Sequence, residues 1–110
     1  MRFVLEVFDA MRAAWPEEKP LGMRLSATDW AEGGWTLEDT VALAERLKAR
    51  GCDYVTASSG GTVPGQEIPI GPGYQVPLAA RVRQETGIPT MAIGLITEAR
   101  QAEDILEVRL

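Results

Sequence analysis

Three short stretches carry residue types that could do chemistry. The first is GMRLSATDW at 22–30, where Arg24 stands among apolar and small residues. An arginine inside such a run is costly to bury unless it is paired. It can meet a carboxylate, reach out to solvent along its aliphatic stem, or serve as a fixed cation facing an anionic or electron-rich ligand. The second is TASSGG at 56–61, in which small hydroxyl residues and glycines follow an extended run. Such a stretch lets backbone amides approach a ligand closely, and it also suits a plain turn needing positive φ. The third is MAIGLITEAR at 91–100, where Gly94 follows an extended run and precedes Thr97, the expected cap of a helix. That arrangement can offer N–H groups and a positive helix end to an anion. An ordinary strand-to-helix turn gives the same pattern, and neither a G-x-G-x-x-G motif nor a P-loop lysine accompanies it.

Composition narrows the chemistry further. The chain of 110 residues contains no histidine, which excludes serine–histidine and cysteine–histidine nucleophile pairs and histidine metal sites. Carboxylates, arginine, tyrosine, backbone amides or a bound cofactor remain. Cys52 is the single cysteine, so no internal disulfide can form, and a reducing cytoplasm is the expected compartment. Its place between a helix end and a strand suits a small buried residue better than a nucleophile. The net charge of −5, with no basic run, argues against a nucleic-acid partner. No apolar run approaches the roughly 18 residues of a membrane span. Glu6 and Asp9 interrupt the opening MRFVLEVFDAMRAAW, which therefore does not read as a signal peptide.

The elements that must position these residues follow from period and punctuation. In RFVLEVFDAMRAAW, Val4, Val7, Phe8 and Met11 recur at helical spacing, and Trp15-Pro16 ends the helix. LGMRLSA reads as a strand and TDWAEGGW as a loop. Thr36 and Asp39 form a capping-box variant at the head of a second helix. Leu37, Val41, Ala44 and Leu47 are its expected buried stripe, and Gly51 suits its left-handed end. CDYVTAS is a second strand. The glycine- and proline-rich SSGGTVPGQEIPIGPGYQ follows, a loop long enough to suggest the roof of a site. VPLAARVRQETG is a third helix with Pro77 in its first turn and Gly87 at its close. PTMAIG is a third strand, and TEARQAEDIL a fourth helix.

Strands alternating with helices predict an α/β fold with a parallel sheet and right-handed crossovers. No linker divides residues 1–110, which read as one domain. The pattern fits a small three-layer α/β domain and an arc of a (β/α)8 barrel equally well. Either way, three strands leave two unpaired edges, from which self-association into a homo-oligomer is expected.

Taken together, MRLSATDW, GCDYVTASSGG, IPIGPGYQVPLAARVRQETGIPTMAIGLIT and QAEDIL resemble the old yellow enzyme family, in particular its bacterial thermophilic-like or xenobiotic reductase-like branch. The resemblance runs over residues 2 to 106. It implies part of an FMN-dependent (β/α)8 TIM barrel, with the fifth to seventh strands and their helices represented here. It also implies hydride transfer from NAD(P)H through reduced flavin to an activated small-molecule alkene. By resemblance, Arg24 matches the strand arginine beside the flavin pyrimidine edge. Ile93, Gly94 and Leu95 match the turn whose backbone helps hold the FMN phosphate. The long loop would then lie over the flavin site. The family's paired substrate-anchoring histidines, its proton-donating tyrosine and its first flavin-binding strands are expected outside these residues. Arg109 comes too early to match the family's phosphate arginine and takes no role. On this reading the 110 residues alone are not expected to be catalytically competent. The alternative is a non-catalytic α/β module that self-associates through its strand edges.

Overall fold

In the computed structural model, which describes residues 1–60, 64 and 66–107, helices and strands alternate in the expected order. They are α1 (Arg2–Ala14), β1 (Gly22–Ser26), α2 (Leu37–Ala49), β2 (Tyr54–Ser58), α3 (Val76–Thr86), β3 (Thr90–Ala92) and α4 (Ala99–Glu107). Residues 61–63 and 65 of the long loop, and Arg109, lie outside the described residues.

Local chemistry sets most of the boundaries. At the head of α2, the Thr36 hydroxyl accepts the Asp39 N–H at 3.2 Å, and the Asp39 carboxylate accepts the Thr36 N–H at 3.0 Å. These backbone and hydroxyl donors of Thr36 hold the Asp39 carboxyl below its usual range. Pro77 sits in the first turn of α3, where its missing N–H costs nothing, and Gly87 closes the helix at φ 73°. Trp15 adopts extended backbone before Pro16 and ends α1.

The three strands are parallel and lie in the order β1-β2-β3. Gly22 pairs with Tyr54, Arg24 with Thr56 and Ser26 with Ser58, while Thr56 pairs with Met91 across to β3. Strand order thus follows chain order with no reversal. Right-handed crossovers then carry α2 and α3 to the same face. The core confirms this placement: Leu25 and Val55 pack with Leu5, Phe8, Leu43, Leu47, Val82 and Ile88. Towards the C-terminal ends of the strands, Ala27 and Ala57 meet Leu78 and Ala79. These small side chains let α3 approach the sheet closely. Residues of the opposite parity form the other face, where Arg24 and Met91 are exposed. The molecule measures 38 × 34 × 21 Å. The short axis accommodates a sheet and one layer of helices about 10–12 Å thick. Helices α1, α2 and α3 thus pack on one face of the sheet.

Three local expectations change. Along α1, Leu5 and Phe8 face the core, while Val7 and Met11 are each 37% exposed. The helix carries two apolar stripes, and its position beside α2 lets one of them reach the sheet. On α2 the fully buried positions are Thr40, Leu43, Ala44 and Leu47, with Leu37 and Val41 only partly covered. Thr40 can turn inward because its hydroxyl donates to the Ala27 carbonyl at 2.8 Å and accepts the Trp35 indole N–H at 2.7 Å. Thr97 does not cap α4. The helix begins two residues later, and the Gln101 side chain reaches back to accept the Thr97 N–H at 3.1 Å.

Candidate functional site

Arg24 lies in the middle of β1 and projects from the face that the helices do not cover. Its Nη2 donates to Ser58 Oγ at 3.2 Å, a side chain on the same face of the neighbouring strand. Among the described residues it has no ion pair with a carboxylate, so that explanation of an arginine in a strand does not apply. Its remaining N–H donors have no hydrogen-bond partner among the described residues. Beside it, Thr56 is nearly covered, and its Oγ1 lies 3.7 Å from the Met91 sulfur. Among the described residues, the uncovered face thus presents Arg24 beside hydroxyls and a thioether.

The stretch after β2 uses its side chains more than its amides. Gly60 adopts φ 74° and donates its N–H to the Thr28 carbonyl at 3.1 Å, which realises the positive-φ turn. Ser59 instead joins a side-chain network. The Trp30 indole N–H donates to Ser59 Oγ at 2.8 Å, and that hydroxyl donates to Gln75 Oε1 at 2.6 Å. Gln75 Nε2 donates to the Ile93 carbonyl at 3.3 Å. Loops following all three strands are therefore tied through one glutamine, which is only 3% exposed at the head of α3.

Ile93, Gly94 and Leu95 form the turn directly after β3. Gly94 has φ 107° and Leu95 φ 52°, and positive φ in a leucine marks a turn held by its surroundings. The Leu95 carbonyl accepts from the Gly73 N–H at 3.2 Å and from Gln101 Nε2 at 3.1 Å. No acceptor for the N–H of Gly94 or Leu95 is found among the described residues. A Cβ at position 94 would stand 2.6 Å from Gln75 Nε2, so glycine is required on both conformational and steric grounds.

The structure thus pairs Arg24 with Ser58, and it places the Ile93–Leu95 turn against Gln75 and Gln101. Sequence reasoning named Arg24, Ile93, Gly94 and Leu95 but gave no role to Gln75 or to the Ser59 hydroxyl. A glutamine before Val-Pro carries no signal of burial. Only the convergence of three loops makes it central.

No protein-family model matches the chain. Similarity to individual proteins is clear. The chain is 48% identical over 104 residues to an NADPH dehydrogenase of Geobacillus thermodenitrificans, covering 94% of this chain and 30% of that protein. It is 45% identical over 106 residues to the NADPH dehydrogenase of Halalkalibacterium halodurans, covering 96% and 30%. The chain belongs, as a partial segment, to the old yellow enzyme family. The NADPH dehydrogenase of Listeria innocua is also similar, at 43% identity over 105 residues. The chain spans about 30% of the length of these curated relatives. Over this stretch the chain forms three consecutive parallel strands.

Among the described residues, the remaining titratable groups do not build a second centre. Burial pushes the Cys52 thiol up, and its Sγ–H donates to the Tyr54 carbonyl at 3.2 Å, so this cysteine is a packing residue. Among the described residues no three metal-ligating side chains converge, and no helix is long and apolar enough to cross a membrane.

Proposed function

We propose that this chain supplies one wall of the flavin site of an FMN-dependent NAD(P)H oxidoreductase, as an arc of a (β/α)8 barrel corresponding to its fifth to seventh strands. One observation carries the reading: the parallel sheet runs in chain order, with helices on one face and Arg24 on the bare, polar other face. A barrel segment has this construction, with its inward face left for neighbouring strands and ligand.

The residues fit FMN. Arg24 has a single side-chain partner and donors to spare, and Gly94 and Leu95 hold two N–H groups without partners among the described residues. Bound FMN would supply hydride-transfer chemistry between NAD(P)H and an activated alkene. Arg24 supplies a permanent positive charge for the pyrimidine edge, and Ser58 orients its guanidinium. The amides of the Ile93–Leu95 turn would hold the phosphate. This matches the preference of barrels for phosphate at the loops after the seventh and eighth strands. The 110 residues contain no histidine to anchor the substrate, so the wall binds and orients but does not complete the reaction.

Absorbance and NADPH turnover with an enone, measured on the purified 110-residue chain, test this reading. We expect a colourless preparation that does not oxidise NADPH. Stoichiometric FMN with enone-dependent turnover would contradict it.

A second reading concerns the isolated chain, which we propose pairs with further copies of itself. The outer edge of β3 and helix α4 flank an open groove of about 670 Å³ lined by Met91, Ile93, Leu95, Ala102, Ile105 and Leu106. No residue of α4 is buried, and Phe3 of α1 is 77% exposed. Light scattering should give a multiple of the 12.0 kDa chain mass, and a monodisperse monomer at high concentration would rule this out.

A further inference from the structure

We propose that Gln75 is a positioning residue that fixes the Ile93–Gly94–Leu95 turn for a phosphate monoester and couples it to Trp30 in the loop after β1. The proposal rests on the flavin reading for its ligand and on the structure for its geometry. Gln75 is buried and uses both ends of its amide. Its Oε1 accepts from Ser59 at 2.6 Å, and its Nε2 donates to the Ile93 carbonyl at 3.3 Å.

Holding that carbonyl orients the following peptide, whose N–H belongs to Gly94. The same side chain stands where a Cβ at Gly94 would project, at 2.6 Å from Nε2, and so sets how closely the turn packs. Ser59 accepts the Trp30 indole N–H at 2.8 Å, which extends the chain of hydrogen bonds to a third loop. Buried amides with both ends satisfied are rigid anchors, because losing either bond leaves an unpaired polar group in a dry environment. An anion drawn to the Gly94 and Leu95 amides would therefore pull on Gln75 and shift the Trp30 indole, although Trp30 does not itself hold the anion.

Amide-resolved NMR of the full chain tests this, with FMN and inorganic phosphate as the probes. Gln75→Met preserves volume but removes both hydrogen bonds. It should displace the Gly94, Leu95 and Trp30 indole signals and weaken FMN binding about tenfold, the worth of one hydrogen bond. Ser59→Ala, which keeps the Gln75–Ile93 bond, should move the Trp30 indole signal, displace the Gly94 and Leu95 amides less than Gln75→Met does, and abolish the response of Trp30 to either probe. A general loss of packing would not divide the signals in this way. Unchanged Gly94 and Leu95 amides in Gln75→Met would overturn the proposal. Should that variant not fold, nuclear Overhauser contacts between the wild-type Gln75 side-chain amide and Ile93–Gly94 decide the matter. Their presence supports the positioning role and their absence refutes it. If Gln75→Met shifts the turn while the wild type takes neither FMN nor phosphate, the positioning role stands and the flavin reading falls.

Discussion

Arg24 and Gly94 make opposite demands on the fold, and that contrast can be measured. Arg24 is exposed, shares one hydroxyl bond with Ser58 and has no ion pair among the described residues. Arg24→Ala should therefore change stability by no more than about 0.5 kcal/mol in a urea melt, as surface substitutions generally do. A larger loss would mean that the arginine is structural. Gly94 combines φ 107° with the Gln75 amide beside it. Gly94→Ala should cost about 1–3 kcal/mol in the same melt, the usual range for backbone forced into a sparse region. Cys52 adds a pH dependence. Burial raises its thiol pKa in the folded chain, so the folded state keeps its proton when the unfolded chain has begun to lose it. The resulting stability is complete below the unfolded thiol pKa of about 8.5 and is lost as pH rises towards the folded value. Cys52→Ala should flatten that alkaline decline in denaturant midpoint. Arg24 and Gly94 were legible in the sequence because an arginine in a strand and a glycine after one are local anomalies. Gln75 was not, since its importance lies in which loops meet around it.

Element boundaries were the most legible feature, and for a physical reason: they are set by nearest neighbours in the chain. Thr36 and Asp39 satisfy each other's backbone groups wherever α2 packs, and Gly87 closes α3 without tertiary help. Thr36→Ala should lower stability by about 1 kcal/mol, read from thermal or urea unfolding. The faces of the helices were less legible. Two apolar stripes on α1 compete, and only the position of the sheet selects Leu5 and Phe8 over Val7 and Met11. Thr40 reads as polar, yet it is buried because the Ala27 carbonyl and the Trp35 indole satisfy its hydroxyl. The start of α4, at Ala99, is hard to read from the sequence for a similar reason. A threonine before a helical run suggests a cap, but the Gln101 amide serves the Thr97 N–H.

At the scale of the molecule, alternation of helices and strands implied a parallel sheet, but it could not say on which side the helices lie. That depends on strand order, which here runs without reversal and leaves one face bare. The bare face, the apolar groove beside β3 and the exposed stripe on α1 are three surfaces of a segment that spans about 30% of its relatives' length. The central claim is that the uncovered face and the turn after β3 together form one wall of a flavin site. Titrating FMN into the isotope-labelled chain and following every amide and arginine side-chain signal tests it most directly. Perturbations should gather at Arg24, Ser58–Gly60 and Ile93–Leu95. A folded chain whose signals at those positions stay unmoved, or move only on the α1 face, would contradict it.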